Sequence, residues 1–259
     1  SVWGGIKILP QYTFTVGEWK ENSPRVKKEF QELTWNAEVI VRSSSLAEDT
    51  SENSQAGKYE SIADVSGTEE FYAAVEAVIA SYDDTKEENQ VLVQPMLTGV
   101  CICGVAFTLD PNTMGNYYVI NYDDGGSTSS VTSGQGGNSR LYYRFKECAQ
   151  KDAKGWPELI NRLCLALKGL EEFFGQNNLD VEFAVTDKNE LYILQVRALC
   201  LRQKPADIKI QKRELERIRN KIEHAQKKKP FLCGEKTVYS VMTDWNPAEM
   251  IGIRPKPLA

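Results

Sequence analysis

The segment Asp180–Arg197 constrains this chain most, because it predicts a β-hairpin with an unusual polar face. Apolar side chains recur at every second position from Val181 to Val185, the period of a strand. A polar turn follows at residues 187–190, and a second apolar strand begins at Leu191. The segment therefore fixes one antiparallel strand pair within the fold.

The hairpin register predicts four polar side chains on one face. With residues 187–190 as the loop, Glu182 lies opposite Gln195 and Asp180 opposite Arg197. Carboxylate and carbonyl oxygens suit Mg²⁺, and an arginine fork suits phosphate. The alternative is a solvated strand face with a cross-strand Asp–Arg pair. The hairpin alone does not separate these two interpretations.

Composition excludes several classes of protein. The chain has 259 residues, with 41% hydrophobic residues, 26% charged residues and a net charge of −5. Such a chain is an ordinary globular protein, and its charge argues against nucleic acid or an anionic membrane as the main partner. No apolar run approaches the ~20 residues of a membrane span. We expect a cytoplasmic protein with reduced cysteines, since no signal peptide or zinc spacing is evident.

The order of the predicted elements indicates an α+β fold. Strands fill the middle of the chain, helices flank it, and successive strands are predicted to be mainly antiparallel. Besides the hairpin, the predicted strands are residues 8–16, 37–42, 90–97, 99–109, 117–121 and 140–145, and the predicted helices are residues 24–33, 68–81, 157–174 and 208–229.

Four further features carry candidate chemistry. Arg42 ends a buried strand, where it must meet a carboxylate or await an anion. The polar loop 43–59 is long enough to close over a ligand. Pro95 interrupts a strand at residues 94–97 and frees neighbouring backbone groups for a planar heterocycle. The Gly-rich loop 123–138 does not have the spacing of a P-loop.

These motifs together resemble one family. VRSSSLAEDTSENSQAGKYES from Val41, VLVQPML, GVAFTLDPNTM and DVEF…LQVR are similar to the nucleotide-binding part of the phosphoenolpyruvate synthase and pyruvate phosphate dikinase family. The similarity covers roughly residues 8–202. It implies an ATP-grasp fold with a mainly antiparallel central sheet and flanking helices, truncated at its N-terminus.

The resemblance also implies roles for single residues. Arg42 would contact the ATP phosphates, and Arg197 would neutralise charge on the transferring phosphates. Glu182 and Gln195 would hold Mg²⁺, and Asp180 would serve the ribose and Mg²⁺ end of the site. Two further groups would bind the nucleotide: Ser54, Ala56, Gly57 and Lys58 in the phosphate-covering loop, and Gln94, Pro95, Met96 and Leu97 at the adenine.

The resemblance further predicts a fragment of a larger enzyme. Family members pass a pyrophosphoryl group from ATP to a histidine on a swivelling domain, release AMP and phosphorylate an acceptor on a third domain. His224 lies in a charged segment without the family's phosphohistidine surroundings. We therefore expect an N-terminal remnant at residues 1–35, an ATP-grasp core at 36–202, and a linker helix with the start of another region at 203–259.

Some details depart from the family or stay open. The glycine-rich segment with a phosphate-binding lysine is not matched, and Asp123 or Asp124 stands where a glycine-glutamate element is usual. Residues 8–16 and the segment TDWNPAEMIG resemble a subgroup linked to capsule or surface-polysaccharide pathways, in which at least one enzyme type phosphorylates L-glutamine instead of pyruvate. The sequence leaves the acceptor open between the two. Two alternatives remain: a degenerate nucleotide- or partner-binding module, and an ATP-grasp ligase that activates a carboxylate, against which the VRSS-type loop argues.

Overall fold

The computed structural model describes residues 5–33, 35, 38–44, 60–82, 86–123, 139–148, 157–201 and 203–225. The chain divides into two compact units, Ser1–Ile208 and Lys209–Ala259. The first unit contains two β-sheets with flanking helices. The predicted α+β class with mainly antiparallel sheets is therefore confirmed. The domain boundaries expected at residues 35 and 202 stay predictions.

Ten strands and four helices make up the described part of the chain. The strands are β1 (Ile6–Ile8), β2 (Tyr12–Thr15), β3 (Val39–Ser44), β4 (Ser61–Val65), β5 (Gln90–Pro95), β6 (Val100–Phe107), β7 (Tyr117–Asp123), β8 (Ser139–Phe145), β9 (Leu179–Thr186) and β10 (Leu191–Ala198). The helices are α1 (Val16–Glu32), α2 (Gly67–Ala80), α3 (Glu158–Phe174) and α4 (Ile208–Ala225).

The large sheet has the strand order β1-β10-β9-β6-β7-β8. Its neighbours are antiparallel except β1, which pairs with β10 in parallel. One face of β9, including Val181 and Phe183, forms a core with the buried face of α3, including Leu163 and Leu167. Because side chains alternate along a strand, Asp180 and Glu182 lie on the opposite face.

The small sheet has the order β2-β5-β3-β4 and is antiparallel throughout. Val39, Val41 and Val93 form its core with residues of α1 and α2 such as Val26 and Phe71. Helices therefore cover one face of this sheet. The other face carries the alternate residues of β3 and β5, among them Arg42.

The N-terminal region differs from the prediction. The single strand expected at residues 8–16 is two strands in different sheets, because Pro10 lacks an amide for a continuous ladder. The helix expected at residues 24–33 begins at Val16, where Thr15 and Glu18 form a capping box. Its chain kinks at Asn22, whose side chain accepts a hydrogen bond from the Arg25 amide.

The β9–β10 hairpin confirms the predicted pairs of polar residues, although the strand register nearer the turn differs from the prediction. Glu182 pairs with Gln195 and Asp180 pairs with Arg197. Nearer the turn, however, Leu191 pairs with Val185 and not with Thr186, and the register shifts between Ile193 and Gln195. Residue 194 is thus the extra residue of a β-bulge.

The bulge reverses which face of the sheet the later residues of β10 occupy. Leu191 and Ile193 lie in the core with α3. Without an extra residue, Gln195 and Arg197 would continue on that same face. Because of the bulge they join Asp180 and Glu182 on the other face, and the apolar residues near the turn stay buried.

No helix in the described part of the chain is long and apolar enough to cross a membrane. No disulfide joins the described cysteines, which are residues 101, 103, 148, 164 and 200; their reduced state stays a prediction.

Candidate functional site

The candidate site lies where the helix-free faces of the two sheets meet. Arg42 projects from β3 of the small sheet because Val39 and Val41 on the same strand are turned into the core. Glu182 projects from β9 of the large sheet, and its carboxylate is 4.0 Å from the Arg42 guanidinium. Of the two alternatives that the sequence left open for Arg42, the structure shows the contact with a carboxylate.

A chain of four charges crosses this junction. The Arg197 guanidinium lies 3.3 Å from one carboxylate oxygen of Asp180 and 3.6 Å from Glu182 Oε1. Glu182 Oε2 is the oxygen that faces Arg42. Glu182 therefore lies between two guanidinium groups, one supplied by each sheet.

These charges are largely removed from solvent. The four side chains are between 19% and 24% exposed. Within the described ranges, three buried polar side-chain atoms have no hydrogen-bond partner: Arg42 Nε, Asp180 Oδ1 and Thr186 Oγ1. Arg42 and Asp180 belong to the charged junction, so the site keeps unused hydrogen-bonding capacity where a polar ligand would lie, whereas Thr186 lies near the hairpin turn.

Burial also perturbs the acidity of the site. Desolvation raises the pKa of the Asp180 carboxyl, the neighbouring Arg197 lowers it, and the negative charge of Glu182 raises it again. The net direction is upward, so burial outweighs the arginine. A carboxyl with a raised pKa in a polar cleft is typical of a functional site, although structural ion pairs also shift pKa values.

The segment predicted to face adenine lies at the end of β5. Gln94 is buried and pairs with Ile40, which puts it on the same sheet face as Arg42. The Met96 amide donates a hydrogen bond to the Glu38 carbonyl at 2.7 Å, and Pro95 has no amide. Hydrogen-bond donors for a planar heterocycle at this end of β5 must therefore come from other groups, such as the Leu97 backbone or the Gln94 side chain.

Some predicted residues lie outside the described residues, and one lies beside the site. Ser54, Ala56, Gly57, Lys58 and Asp124 are in the first group. Asp123 ends β7, is buried, and shares the sheet face of Glu182 through the cross-strand neighbours Cys103 and Ala184. Its charge, after burial, raises the pKa of the Cys103 thiol.

One residue on this face was missed from sequence. Asn121 is linked to Glu182 across Val105 by direct strand pairing, so both side chains lie on the same side of the large sheet. The Asn121 side-chain oxygen accepts a hydrogen bond from Ser139 at 2.6 Å. The available signal was the polar Asn121 at the end of the apolar segment YYVIN. This signal identifies a site residue only when β6 is known to lie between β7 and β9.

The donor set suits a metal that the nucleotide helps to bind. Among the residues that the structure describes, no group of three Asp, Glu, His or Cys side chains is arranged as a metal site. Asp180, Glu182 and the Gln195 amide nevertheless provide hard oxygen donors on one face. Mg²⁺ is commonly held by one or two carboxylates together with substrate phosphates, so this smaller set fits a Mg²⁺–nucleotide complex.

Sequence comparison points to nucleotide binding. Residues 20–135 match the family described as the AMP/ATP-binding domain of pyruvate phosphate dikinase. The matched segment includes Arg42, the loop 43–59 and the β5 end, and it stops before the β9–β10 hairpin. Comparison with curated proteins gave no match.

Comparison with solved structures gave distant similarities. The dinucleotide-forming acetyl-coenzyme A synthetase 1 of Ca. Korarchaeum cryptofilum is 11% identical, with a TM-score of 0.47 over 76% of this chain and 87% of that chain. PH1788 of Pyrococcus horikoshii is 16% identical, with a TM-score of 0.46 over 78% and 87%. D-alanyl-alanine synthetase A of Vibrio cholerae is 14% identical, with a TM-score of 0.43 over 75% and 51%.

The present chain spans only part of several of these proteins. It covers 51% of the Vibrio cholerae synthetase, 59% of D-cycloserine synthetase DcsG and 56% of the Helicobacter pylori D-alanine-D-alanine ligase. At these identities and TM-scores, the similarities assign no function to the chain.

Proposed function

We propose that this chain is the ATP-binding, ATP-grasp domain of a dikinase-like phosphotransferase, with the nucleotide held between the two sheets. One observation carries the proposal: Arg42 from the small sheet and Arg197 from the large sheet converge on Glu182. A structural ion pair needs one arginine, whereas a polyphosphate needs several cations around it. The family match over residues 20–135 supports the same conclusion.

The charge arrangement suits phosphoryl transfer. This reaction requires little covalent chemistry from the protein, and catalysis comes from positioning and neutralisation of charge on the phosphates. Arg42 and Arg197 are the groups that neutralise the phosphates in our proposal. Without nucleotide both guanidinium groups lie against Glu182, which keeps them on the faces of the cleft where the phosphates would bind.

Glu182 and Gln195 hold Mg²⁺ in this proposal, and Asp180 lies at the ribose and Mg²⁺ end of the site. Mg²⁺ held by these residues would supply positive charge that neutralises the phosphates. Gln94 to Leu97 line the adenine end, and Ser54, Ala56, Gly57 and Lys58 cover the phosphates. Asp123 is a further carboxylate next to this set.

The complete reaction in this proposal requires other domains. A pyrophosphoryl group passes from ATP to a histidine on a swivelling domain and AMP is released. Transfer of the terminal phosphoryl group to water or inorganic phosphate then leaves a phosphohistidine, which serves an acceptor domain. The acceptor is pyruvate, or L-glutamine if the capsule-pathway resemblance holds. We propose a cytoplasmic location, where ATP is available.

The experiment that tests this proposal is calorimetric titration of the chain with ATP, with and without Mg²⁺. We expect binding that strengthens when Mg²⁺ is present. Glu182→Gln keeps the shape of the side chain but removes its charge, and we expect it to reduce the Mg²⁺-dependent gain by roughly tenfold or more. The folded state should persist, since the change is isosteric.

Glu190→Gln is the matched control. Glu190 lies in the same hairpin and pairs with Lys7 at the surface, far from the two arginines. This variant removes the same charge and should bind ATP as the wild type does. If the wild type binds no ATP, or if Glu182→Gln leaves the effect of Mg²⁺ unchanged, the proposed function or the metal assignment is wrong. The first result would favour a module without catalysis.

A further inference from the structure

Helix α4 has a narrow apolar stripe that the nucleotide site does not explain. The stripe follows positions that are separated alternately by three and by four residues. These positions hold Ile208, Gln211, Leu215, Ile218, Ile222 and Ala225, all apolar except Gln211. This is the a and d pattern of a heptad repeat. The side chains of Ile218 and Ile222 are 47% and 50% exposed. Two β-branched apolar residues on one helix face are thus left facing solvent.

The width of the stripe indicates the shape of its partner. Helix α3 buries a broad face that includes Ile160, Leu163, Ala166, Leu167 and Leu170 against the large sheet. By contrast, α4 has charged or polar residues at nearly every position outside the stripe. A seam of two positions in seven fits another helix better than it fits a sheet.

The charges beside the stripe favour a second copy of the same helix. With Leu215 and Ile222 at position a, Glu214 occupies position g and Arg219 the following position e. In a parallel, in-register pair, Glu214 of one copy lies beside Arg219 of the other. One heptad earlier, Asp207, which precedes the helix, lies in the same way beside Lys212 of the other copy. Opposite charges therefore meet on both sides of the seam.

An antiparallel pair is less complementary, because the attraction between Glu214 and Lys221 at the g positions is offset at the e positions. Residues at e then lie beside e of the other copy, and both e positions, Lys212 and Arg219, are basic. Like charges at these short distances oppose association. The charge pattern thus favours the parallel orientation, as well as a second copy of the helix as the partner.

We propose that α4 is a self-association surface, through which two copies of this chain form a parallel, two-stranded coiled coil. Leu215, Ile218 and Ile222 are its core, and Glu214 with Arg219 sets its orientation. The seam is short, so the interface belongs to the small and weak class of protein contacts. Self-association should therefore depend on protein concentration in the micromolar range.

Sedimentation equilibrium of the whole chain between about 1 and 100 μM tests this proposal. We expect a monomer–dimer equilibrium. Ile218→Asp puts a charge into the seam and should weaken dimerisation by roughly 100-fold or more. Ile210→Asp is the matched control, because Ile210 is 54% exposed on the same helix but lies outside the stripe. Circular dichroism shows whether either variant retains its helix.

A charge exchange tests the orientation without altering the apolar seam. Glu214→Lys should weaken dimerisation by roughly tenfold or more, because two attractive pairs become repulsive. Glu216→Lys, the same change outside the seam, should have little effect. Adding Arg219→Glu to Glu214→Lys should restore association.

Two results would overturn the proposal outright: a monomer at every concentration, or equal association of the Ile218→Asp and Ile210→Asp variants. Failure of the double exchange to restore association would overturn the parallel pairing.

Discussion

At the residue scale, the candidate site depends on Glu182. This carboxylate contacts one guanidinium from each sheet, and Asp180 shares Arg197 with it. The alternation of β9 predicts that Asp180 and Glu182 share a face, and the structure agrees. The balance of burial and charge at Asp180 follows from tertiary packing, since the sequence does not show how much solvent the arginine leaves around the carboxyl.

The raised pKa of Asp180 leads to a pH-dependent prediction. The folded state holds a proton at Asp180 more tightly than the unfolded chain, in which the ordinary value is 3.8. The ionised carboxylate therefore costs stability at neutral pH, and this cost disappears as the pH falls through the raised pKa. Asp180→Asn, which does not ionise, should be at least as stable as the wild type at about pH 7. Its advantage should shrink as the pH falls through the raised pKa toward the ordinary value, at about pH 4.

Urea denaturation at both pH values measures this difference. Asp187→Asn, in the exposed loop of the same hairpin, corrects for the loss of one carboxylate. An advantage of Asp180→Asn that grows on acidification would show that Arg197 outweighs burial at this position.

At the element scale, the bulge in β10 determines the site. Residue 194 has no strand partner between the pairs Ile193–Phe183 and Gln195–Glu182. If Leu194 is removed, Gln195 takes the next regular position opposite Glu182, and every later residue keeps its face. The bulge therefore accommodates Leu194 as the extra residue and so keeps Gln195 and Arg197 on the face of the site.

This register yields a prediction for two deletions in one strand. Deletion of Leu194 should cost about 1–2 kcal/mol, mainly from the loss of a half-buried side chain. Deletion of Val196 should cost roughly 3 kcal/mol or more, because a regular ladder then places the Gln195 amide in the apolar core with α3. Chemical denaturation of both variants measures the two costs. Equal losses of stability in the two variants would mean that β10 requires its bulge and does not form a regular ladder when Leu194 is removed.

At the scale of the whole first unit, two separately packed sheets supply one charged cleft. Each sheet has its own apolar core, one formed with α3 and the other with α1 and α2. Arg42 and Glu182 connect the helix-free faces across a distance of 4.0 Å. A polyphosphate between the sheets would replace this contact with several charge-assisted hydrogen bonds.

We therefore expect ATP to stabilise the folded unit, by about 2.7 kcal/mol at a concentration of about 100 times its dissociation constant. Arg42→Ala should weaken ATP binding by roughly 10- to 100-fold, the value of a hydrogen bond to a charged group. Adenosine has no phosphate, so its binding should change little. Thermal unfolding with each ligand measures both effects.

Arg25→Ala is the control for this prediction, because Arg25 pairs with Glu18 at the surface of α1. That variant should respond to ATP as the wild type does. An equal loss of ATP and adenosine binding in Arg42→Ala would remove Arg42 from the phosphate end of the site.

Local sequence determined a large share of this protein. Alternation and turn residues predicted the hairpin, the Glu182–Gln195 and Asp180–Arg197 pairs, and the mainly antiparallel α+β class, because strand faces and hairpins depend on neighbours close in the chain. Family motifs predicted a nucleotide-binding segment, which the match over residues 20–135 supports. The roles of the loop residues Ser54 to Lys58 stay predictions.

Tertiary structure decided the rest. The split of residues 8–16 between two sheets and the position of Asn121 beside Glu182 depend on pairing between distant strands. No local sequence pattern predicts the bulge at residue 194. The bulge is needed because Leu191 and Ile193 face the core while Arg197 faces the cleft. Burial of apolar side chains fixes both sheets independently, and only their meeting brings Arg42 to Glu182.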